Sequence, residues 1–271
     1  MINRFFVIAI TLLGLGVVEV MAQQELADPL IPAKAAPRIY IGPVGGFNRA
    51  LHSSGFQSVA GDVLCPDFTT GTDNGYYFGF SGEYLLGNPK DSKSCIIARV
   101  VYNYLPAAYE VGGDIIPSLD PANGEVVESE VRHVAEIKYS LLDIEAVYKL
   151  NLFNTPLGVV VGPTVGFVMQ SDREQRMELV RPTNAVFDPS LVGDDVIYTE
   201  DGRGIITAQD NLPDKSGIRI AVKAGLQYEL TAGRILLVPC VYYNFGITEV
   251  SPSANLRVNA IQAGVDIRFA L

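Results

Sequence analysis

The chain has 271 residues, 48% of them apolar and only 18% charged, which is length enough for one large all-β domain or two ordinary ones. Its formal net charge of −10 argues against nucleic acid or anionic lipid as an electrostatic partner. With 26 glycines, 13 tyrosines, 12 phenylalanines and no tryptophan, the composition leans towards β-structure.

The first 22 residues read as a cleaved secretory signal peptide. "MINR" carries one positive charge, "FFVIAITLLGLGVV" is an apolar core, and Val20 and Ala22 stand at the −3 and −1 positions before Gln23. No Cys follows the apolar run, so lipoprotein processing is not expected. Residues 23–37, "QQELADPLIPAKAAP", read as a flexible periplasmic leader. Beyond residue 22 no window of about 18 apolar residues remains, so no transmembrane helix is expected.

Eight alternating segments follow within residues 38–271. They lie near Arg38–Asn48, Tyr76–Leu86, Cys95–Leu105, Leu142–Phe153, Leu157–Gln170, Ile218–Leu230, Ile235–Ile247 and Ile261–Leu271. The connections after the second, fourth and sixth are tight ("GNPKDSKS", "NTP", "TAGR"). Those after the first, third and fifth are long. Tight turns at one end and long loops at the other predict an all-β fold: an eight-stranded antiparallel transmembrane β-barrel with long extracellular loops.

Successive side chains on a strand point to opposite faces. Sorted this way, the segment at 218–230 places Ile218, Ile220, Val222, Ala224, Leu226, Tyr228 and Leu230 opposite Arg219, Ala221, Lys223, Gly225, Gln227 and Glu229. Across all eight segments the apolar faces hold no charge. The other faces hold Glu83, Asp143, Glu145, Glu229 and Asp266 with Arg99, Lys149, Arg219, Lys223 and Arg268. A soluble lipocalin-like barrel would reverse this pattern, with its apolar face inside. A uniformly apolar outer face needs lipid. The balanced charges then form a lumen charge network, expected to pair and to plug a lumen that eight strands leave barely wide enough for side chains. Gly42, Gly46, Gly158, Gly162, Gly166, Gly225 and Gly264 fall on the inner face, where they are expected to leave room for those long side chains. Tyr84, Tyr148 and Tyr228 near the tight turns, and Tyr102, Tyr104, Tyr243 and Phe245 near the loops, read as two aromatic girdles.

Three prolines interrupt this pattern. "IGPVGGFN" (Ile41–Asn48) and "VGPTVGFV" (Val161–Val168) share G-P-x-x-G-F, and Pro239 stands in "LVPCVYYN". Proline has no N–H to give a ladder, so a bulge or a distorted ladder bond is expected at each, with Pro43 and Pro163 facing lipid.

The G-P-x-x-G-F strands, the "SGEYLL" and "GLQYEL" strands before tight turns, and the alternating end "AGVDIRFAL" resemble small outer-membrane barrels of Bacteroidetes, Chlorobi and Ignavibacteria, the PorT-like and OmpA-like barrel families. The resemblance covers roughly Arg38–Leu271 and implies a barrel rather than an activity. Such barrels usually end in an aromatic residue, whereas this chain ends in Leu271 with Phe269 two positions back.

The long loops are acidic. Leu51–Asn74 holds three acids and no base, Ala108–Val131 six acids and no base, and Ser171–Ser216 ten acids and five bases. They read mainly as a solvated face, with capture of divalent cations beside lipopolysaccharide or of a cationic partner as the functional alternative. "GDD" (Gly193–Asp195) and "TEDG" (Thr199–Gly202) lack calcium-loop spacing, and "VIYTEDGRGIITA" reads as a hairpin turning on Asp201-Gly202. No catalytic residue, metal site or cofactor is expected. The two histidines, His52 and His133, stand at loop ends of strands, and "HSS" at His52–Ser54 is a weak signal for an enzyme. Cys65, Cys95 and Cys240 are placed apart by the topology, in an outer loop, at the periplasmic end and in the wall, so no disulfide is expected.

The expected role is structural or surface-interacting, in the outer membrane with both termini periplasmic. The expected partners are outer-membrane lipid and lipopolysaccharide, with barrel-assembly machinery during insertion. The surface partner stays open. A narrow pore for small solutes, or accessory work in protein export by family resemblance alone, are the alternatives.

Overall fold

Alternating sequence becomes twelve strands of one antiparallel sheet in the computed structural model, which describes residues 36–57, 67–153, 155–188 and 196–271. The signal-peptide segment, nearly all of the leader, Cys65 and "GDD" lie outside the described residues. The strands are β1 (Ile39–Gln57), β2 (Asp67–Leu85), β3 (Ser94–Tyr104), β4 (Ala107–Asp120), β5 (Glu125–Asn151), β6 (Leu157–Arg181), β7 (Ile197–Tyr198), β8 (Gly204–Asn211), β9 (Ile218–Tyr228), β10 (Leu230–Ala232), β11 (Ile235–Gly246) and β12 (Arg257–Ala270).

Eight of them close a ring. The ladder runs β1–β2–β3–β5–β6–β9–β11–β12 and returns from β12 to β1, with Tyr40 opposite Ala270 and Ser53 opposite Arg257. Closure leaves the ring no free edge. The chain enters and leaves this ring at the tight-turn end, where the Leu271 N–H donates to the Ile39 carbonyl.

The strands exceed the predicted segments almost entirely at the loop end. β5 runs 27 residues and β6 runs 25. Their outer halves pair with β4 and β8, which the sequence reading placed in loops. The hairpin on Asp201-Gly202 is present: Tyr198 pairs with Ile205, and Gly202 turns at φ +66°. An outer lobe thus stands on the barrel. It has its own small core of Val131, Leu179, Ala185, Phe187 and Ile205. These extensions were hidden because neither face is uniformly apolar, as in "EVVESEVRHVAEIK", where one face mixes Glu128, Glu130 and Arg132 with Val126 and Val134, and the other mixes Glu125, Ser129 and His133 with Val131, Ala135 and Ile137.

The barrel's outward face is aliphatic and aromatic. Phe47 is 79% exposed and Phe80 71%. Tyr84, Tyr148 and Tyr228 lie outward near the tight turns, and Tyr243 and Phe245 outward near the loops. Tyr102 and Tyr104 are half-buried because they pack against Tyr76 and Phe78, with ring centroids 5.4–6.3 Å apart. Lipid is the solvent that such a face requires.

All three prolines interrupt a ladder on one side and leave no bulge. β1 pairs with β12 at Ile41–Phe269 and resumes at Val44–Asp266 in unchanged register, skipping Gly42 and Pro43. β5 pairs with β6 at Glu145–Thr164 and resumes at Tyr148–Val161, skipping Gly162 and Pro163. Beside Pro239, the β9–β11 ladder stops at Gln227–Cys240 and resumes in register at Leu230–Leu237. The other side of each proline stays paired, as at Pro43–Phe80, Pro163–Val222 and Pro239–Val265. One lost N–H therefore opens one ladder locally, without the extra residue that a bulge would insert.

The inner glycines have a different main cause from the expected one. A Cβ at Gly42, Gly46, Gly162 or Gly225 would collide with a backbone carbonyl of the adjacent strand: Ile267, Ala263, Ala146 and Val241 respectively. Glycine there lets strands approach closely on the inside of a tightly curved wall. Lumen side chains are the nearest obstacles only at Gly158, where a Cβ meets Asn151 and Lys149, and at Gly166, where it meets Asp143, while Gly264 faces both the Gly45 carbonyl and the Tyr77 hydroxyl.

Candidate functional site

The inward parity of the eight barrel strands brings the ten predicted lumen charges into one interior. Nine are buried, and the Glu229 side chain keeps 18% exposure near the tight-turn end. Eight of them form a single chain of alternating sign: Glu229–Lys149–Glu83–Arg268–Asp266–Arg99–Glu145–Lys223. Lys149 Nζ lies 2.8 Å from Glu83 Oε1, Arg99 Nη2 3.3 Å from Asp266 Oδ2 and Arg99 Nη1 3.5 Å from Glu145 Oε2. The chain crosses β2, β3, β5, β9 and β12, so it ties opposite walls of the barrel together.

Arg219 and Asp143 join no ion pair of 4 Å or less among the described residues. Arg219 donates instead to the Val258 carbonyl at 2.7 Å and to Asn244 Oδ1 at 3.3 Å. Asp143 accepts from Asn103 Nδ2 at 2.6 Å, and Asn103 in turn accepts from Gln262. Five separate opposite-sign pairs are therefore replaced by one eight-membered chain and two groups held by neutral partners.

The neutral partners are what a search for charges overlooks. Tyr242 is a hub: its hydroxyl accepts from Arg99 at 2.7 Å and from Gln227, and its ring faces Arg99 and Lys223 at 5.0 and 5.3 Å. Ser81 donates to Asp266 at 2.6 Å. Strand parity is the signal that finds them, because Ser81, Gln227, Tyr242 and Gln262 all share the inward face with the charges. Cys95 and Cys240 are free thiols inside the same wall and share an apolar cluster with Ile97, Val147, Val160 and Tyr242.

Above the charges, at the loop end, lies a second feature that the sequence reading did not anticipate. An apolar core fills the outer mouth, built from Ala50 and Phe56 of β1, Phe68 of β2, Tyr109 of β4, Leu141 of β5 and Leu256 beside β12. Phe56, Phe68 and Tyr109 pack mutually at 5.2–5.7 Å between ring centroids. His52 belongs to this cap. Its Nε2 lies 3.1 Å from the Leu105 carbonyl, and its ring meets Tyr109 and Tyr139 edge-on. Ser54, the partner suggested by "HSS", donates to the Phe68 carbonyl instead.

Two arginines hold part of the acidic outer lobe together, though acids still outnumber bases there. Arg132 bridges Glu110 at 2.8 Å and Glu178 at 2.6 Å, and Arg176 bridges Glu178, Glu136 and Glu174. Burial alone would raise the Glu178 pKa, but hydrogen bonds from Arg132 and Arg176 hold it below the ordinary glutamate value. The Thr199 hydroxyl and the Arg203 N–H lower the Asp201 pKa in the same way. His133 lies in this lobe, with Nε2 2.9 Å from Asp114 Oδ2 at a bulge where Gly113 turns at φ +113°. Among the described residues no group of three or more His, Cys, Asp or Glu is arranged to hold a metal ion.

No family model matches the chain, and no curated protein matches it in sequence. Among solved structures it is similar to Neisserial surface protein A at 14% identity, over 86% of this chain and 97% of that one, with a TM-score of 0.32. It is similar to OprG from Pseudomonas aeruginosa at 12% identity, over 88% and 98%, with a TM-score of 0.35. It is also similar to the outer membrane protein AlkL at 13% identity, over 90% and 95%, with a TM-score of 0.39. The barrel assignment rests on the closed ladder of the chain itself.

Proposed function

We propose that this chain is an integral outer-membrane barrel that conducts nothing and serves as a membrane-anchored platform for its outer lobe. What supports this reading is two inward-facing layers, an eight-membered ion-pair chain below and a buried apolar cluster above. The apolar outer wall supports insertion in lipid, and the resemblance of its strand motifs to PorT-like barrels supports a Gram-negative envelope. Both termini and the tight turns then face the periplasm, and the outer lobe stands at the cell surface beside lipopolysaccharide. Insertion falls to the barrel-assembly machinery.

Planar-bilayer recording of the refolded protein tests the closed interior. Its expected outcome is no steady conductance; stable open channels would establish the pore reading instead. An epitope tag inserted in the turn at Glu200–Gly202 tests orientation. Antibody binding to intact cells is expected, and binding only after permeabilisation overturns the topology.

A further inference from the structure

The outward wall of β1, β2 and β3 carries an apolar groove of about 640 Å³. Gly82 and Ala98 form its floor, and Ile41, Phe80, Val100 and Phe269 rise around it. The barrel's own packing does not demand this space. A Cβ built at Gly82 meets only Ile41 Cγ2, at 3.9 Å, and its φ is not left-handed. This contrasts with Gly42 on the inner face, where a Cβ strikes the next strand.

Towards the tight turns, this wall meets Arg38 and the β2–β3 turn, whose sequence is basic. Arg38 Nη2 donates to the Gly87 carbonyl at 3.1 Å, which fastens Arg38 to the β2–β3 turn that carries Lys90 and Lys93. Arg38 also donates to the Tyr84 hydroxyl at 3.2 Å and lies 5.8 Å from that ring's centroid. Asp91 is the one acid in the turn, and Asn88 donates to it at 3.5 Å. Arg38 precedes Ile41 by three residues, roughly 10 Å at strand rise. A cationic rim with tyrosine at headgroup level and an apolar groove one step deeper match the two ends of one amphiphile.

We infer that this wall holds an anionic glycerophospholipid, its phosphate at Arg38, Lys90 and Lys93 and an acyl chain over Gly82 and Ala98. The net charge of −10 opposes such a ligand only when averaged over the molecule. The acids gather in the outer lobe, and this rim carries three bases against Asp91. The inference rests on the membrane reading above.

Native mass spectrometry tests it. The full barrel is reconstituted in vesicles of equal phosphatidylglycerol and phosphatidylethanolamine and then released in mild detergent. One retained phosphatidylglycerol per barrel is expected, favoured about tenfold over phosphatidylethanolamine. Ala98→Phe, and independently Gly82→Val, fill the groove and are expected to remove the adduct while leaving heat-modifiable gel mobility unchanged. The triple variant R38A/K90A/K93A is expected to keep a lipid but lose the preference for phosphatidylglycerol. Equal retention of both lipids by the parent, or an unchanged adduct in both groove variants, overturns the inference. A parent that is neither heat-modifiable nor protease-protected in vesicles overturns the membrane reading itself.

Discussion

Arg268→Met removes the central cation of the lumen chain, and the consequence follows from its neighbours. Arg268 pairs with Glu83 and Asp266, and all three side chains are fully buried. Breaking a buried pair typically costs about 3–5 kcal/mol, because one charge is left uncompensated. Here each anion keeps a second cation: Lys149 at 2.8 Å from Glu83, and Arg99 at 3.3 Å from Asp266. The loss therefore falls at the lower end, about 3 kcal/mol. Glu229→Gln removes the exposed end of the same chain, and Lys149 keeps Glu83, so its expected loss is under about 1 kcal/mol. The double variant Glu83→Leu, Arg268→Met restores charge balance, and its loss is expected to fall short of the summed single losses by about 1–3 kcal/mol. Urea unfolding in vesicles, read by circular dichroism and heat-modifiable mobility because the chain has no tryptophan, measures the parent, Arg268→Met, Glu229→Gln, Glu83→Leu and the double variant. Equal losses for Arg268→Met and Glu229→Gln, or strict additivity in the double variant, would refute the chain as a coupled unit.

Gly162→Ala is expected to destabilise the barrel by about 1–3 kcal/mol, since its Cβ meets the Ala146 carbonyl, whereas Gly82→Ala is expected to be neutral in the same unfolding assay. Tyr109→Ala cuts the aromatic cap and is expected to cost about 3–5 kcal/mol; on the proposed closed interior, bilayer recordings are expected to stay silent because the ion-pair chain below is untouched. The lowered Glu178 pKa links the outer lobe to pH. A depressed carboxylate contributes stability above the unfolded value of about 4.3, and that stability is lost as pH falls through the folded value. Hydrogen-exchange protection across β4, β5 and β6 beyond the lipid band, taken relative to the intrinsic rate at each pH, is therefore expected to fall below about pH 4.3, and Glu178→Gln is expected to flatten that response.

The barrel was legible in the sequence because lipid enforces the cleanest form of strand alternation. From Ile218 to Glu229 one face is wholly apolar and every charged or amide side chain lies on the other, and that one stretch already assigns Arg219 and Lys223 to the interior. Of the lobe only the hairpin on Asp201-Gly202 was legible, since outside the lipid neither face of β4 or of the outer half of β5 must be uniformly apolar. Glu110 and Arg132 face water, and their pairing leaves no period-2 mark in "AAYEVGGDIIPSLD". The cap escaped for a related reason. Phe56, Phe68 and Tyr109 lie in segments separated by 12 and 41 positions, each carrying one inward aromatic, and only ladder extension beyond the lipid band brings them together. Charge sign was readable and charge pairing was not: five acids and five bases announce neutrality, but which group meets which depends on the stagger between strands. That stagger places Arg268 between Glu83 of β2 and Asp266 of its own strand, and it leaves Arg219 facing the Val258 carbonyl rather than a carboxylate. The prolines were readable as interruptions. That each opens a single ladder with no bulge follows from geometry that residue type alone does not contain: proline removes one N–H, and one N–H serves only one neighbour.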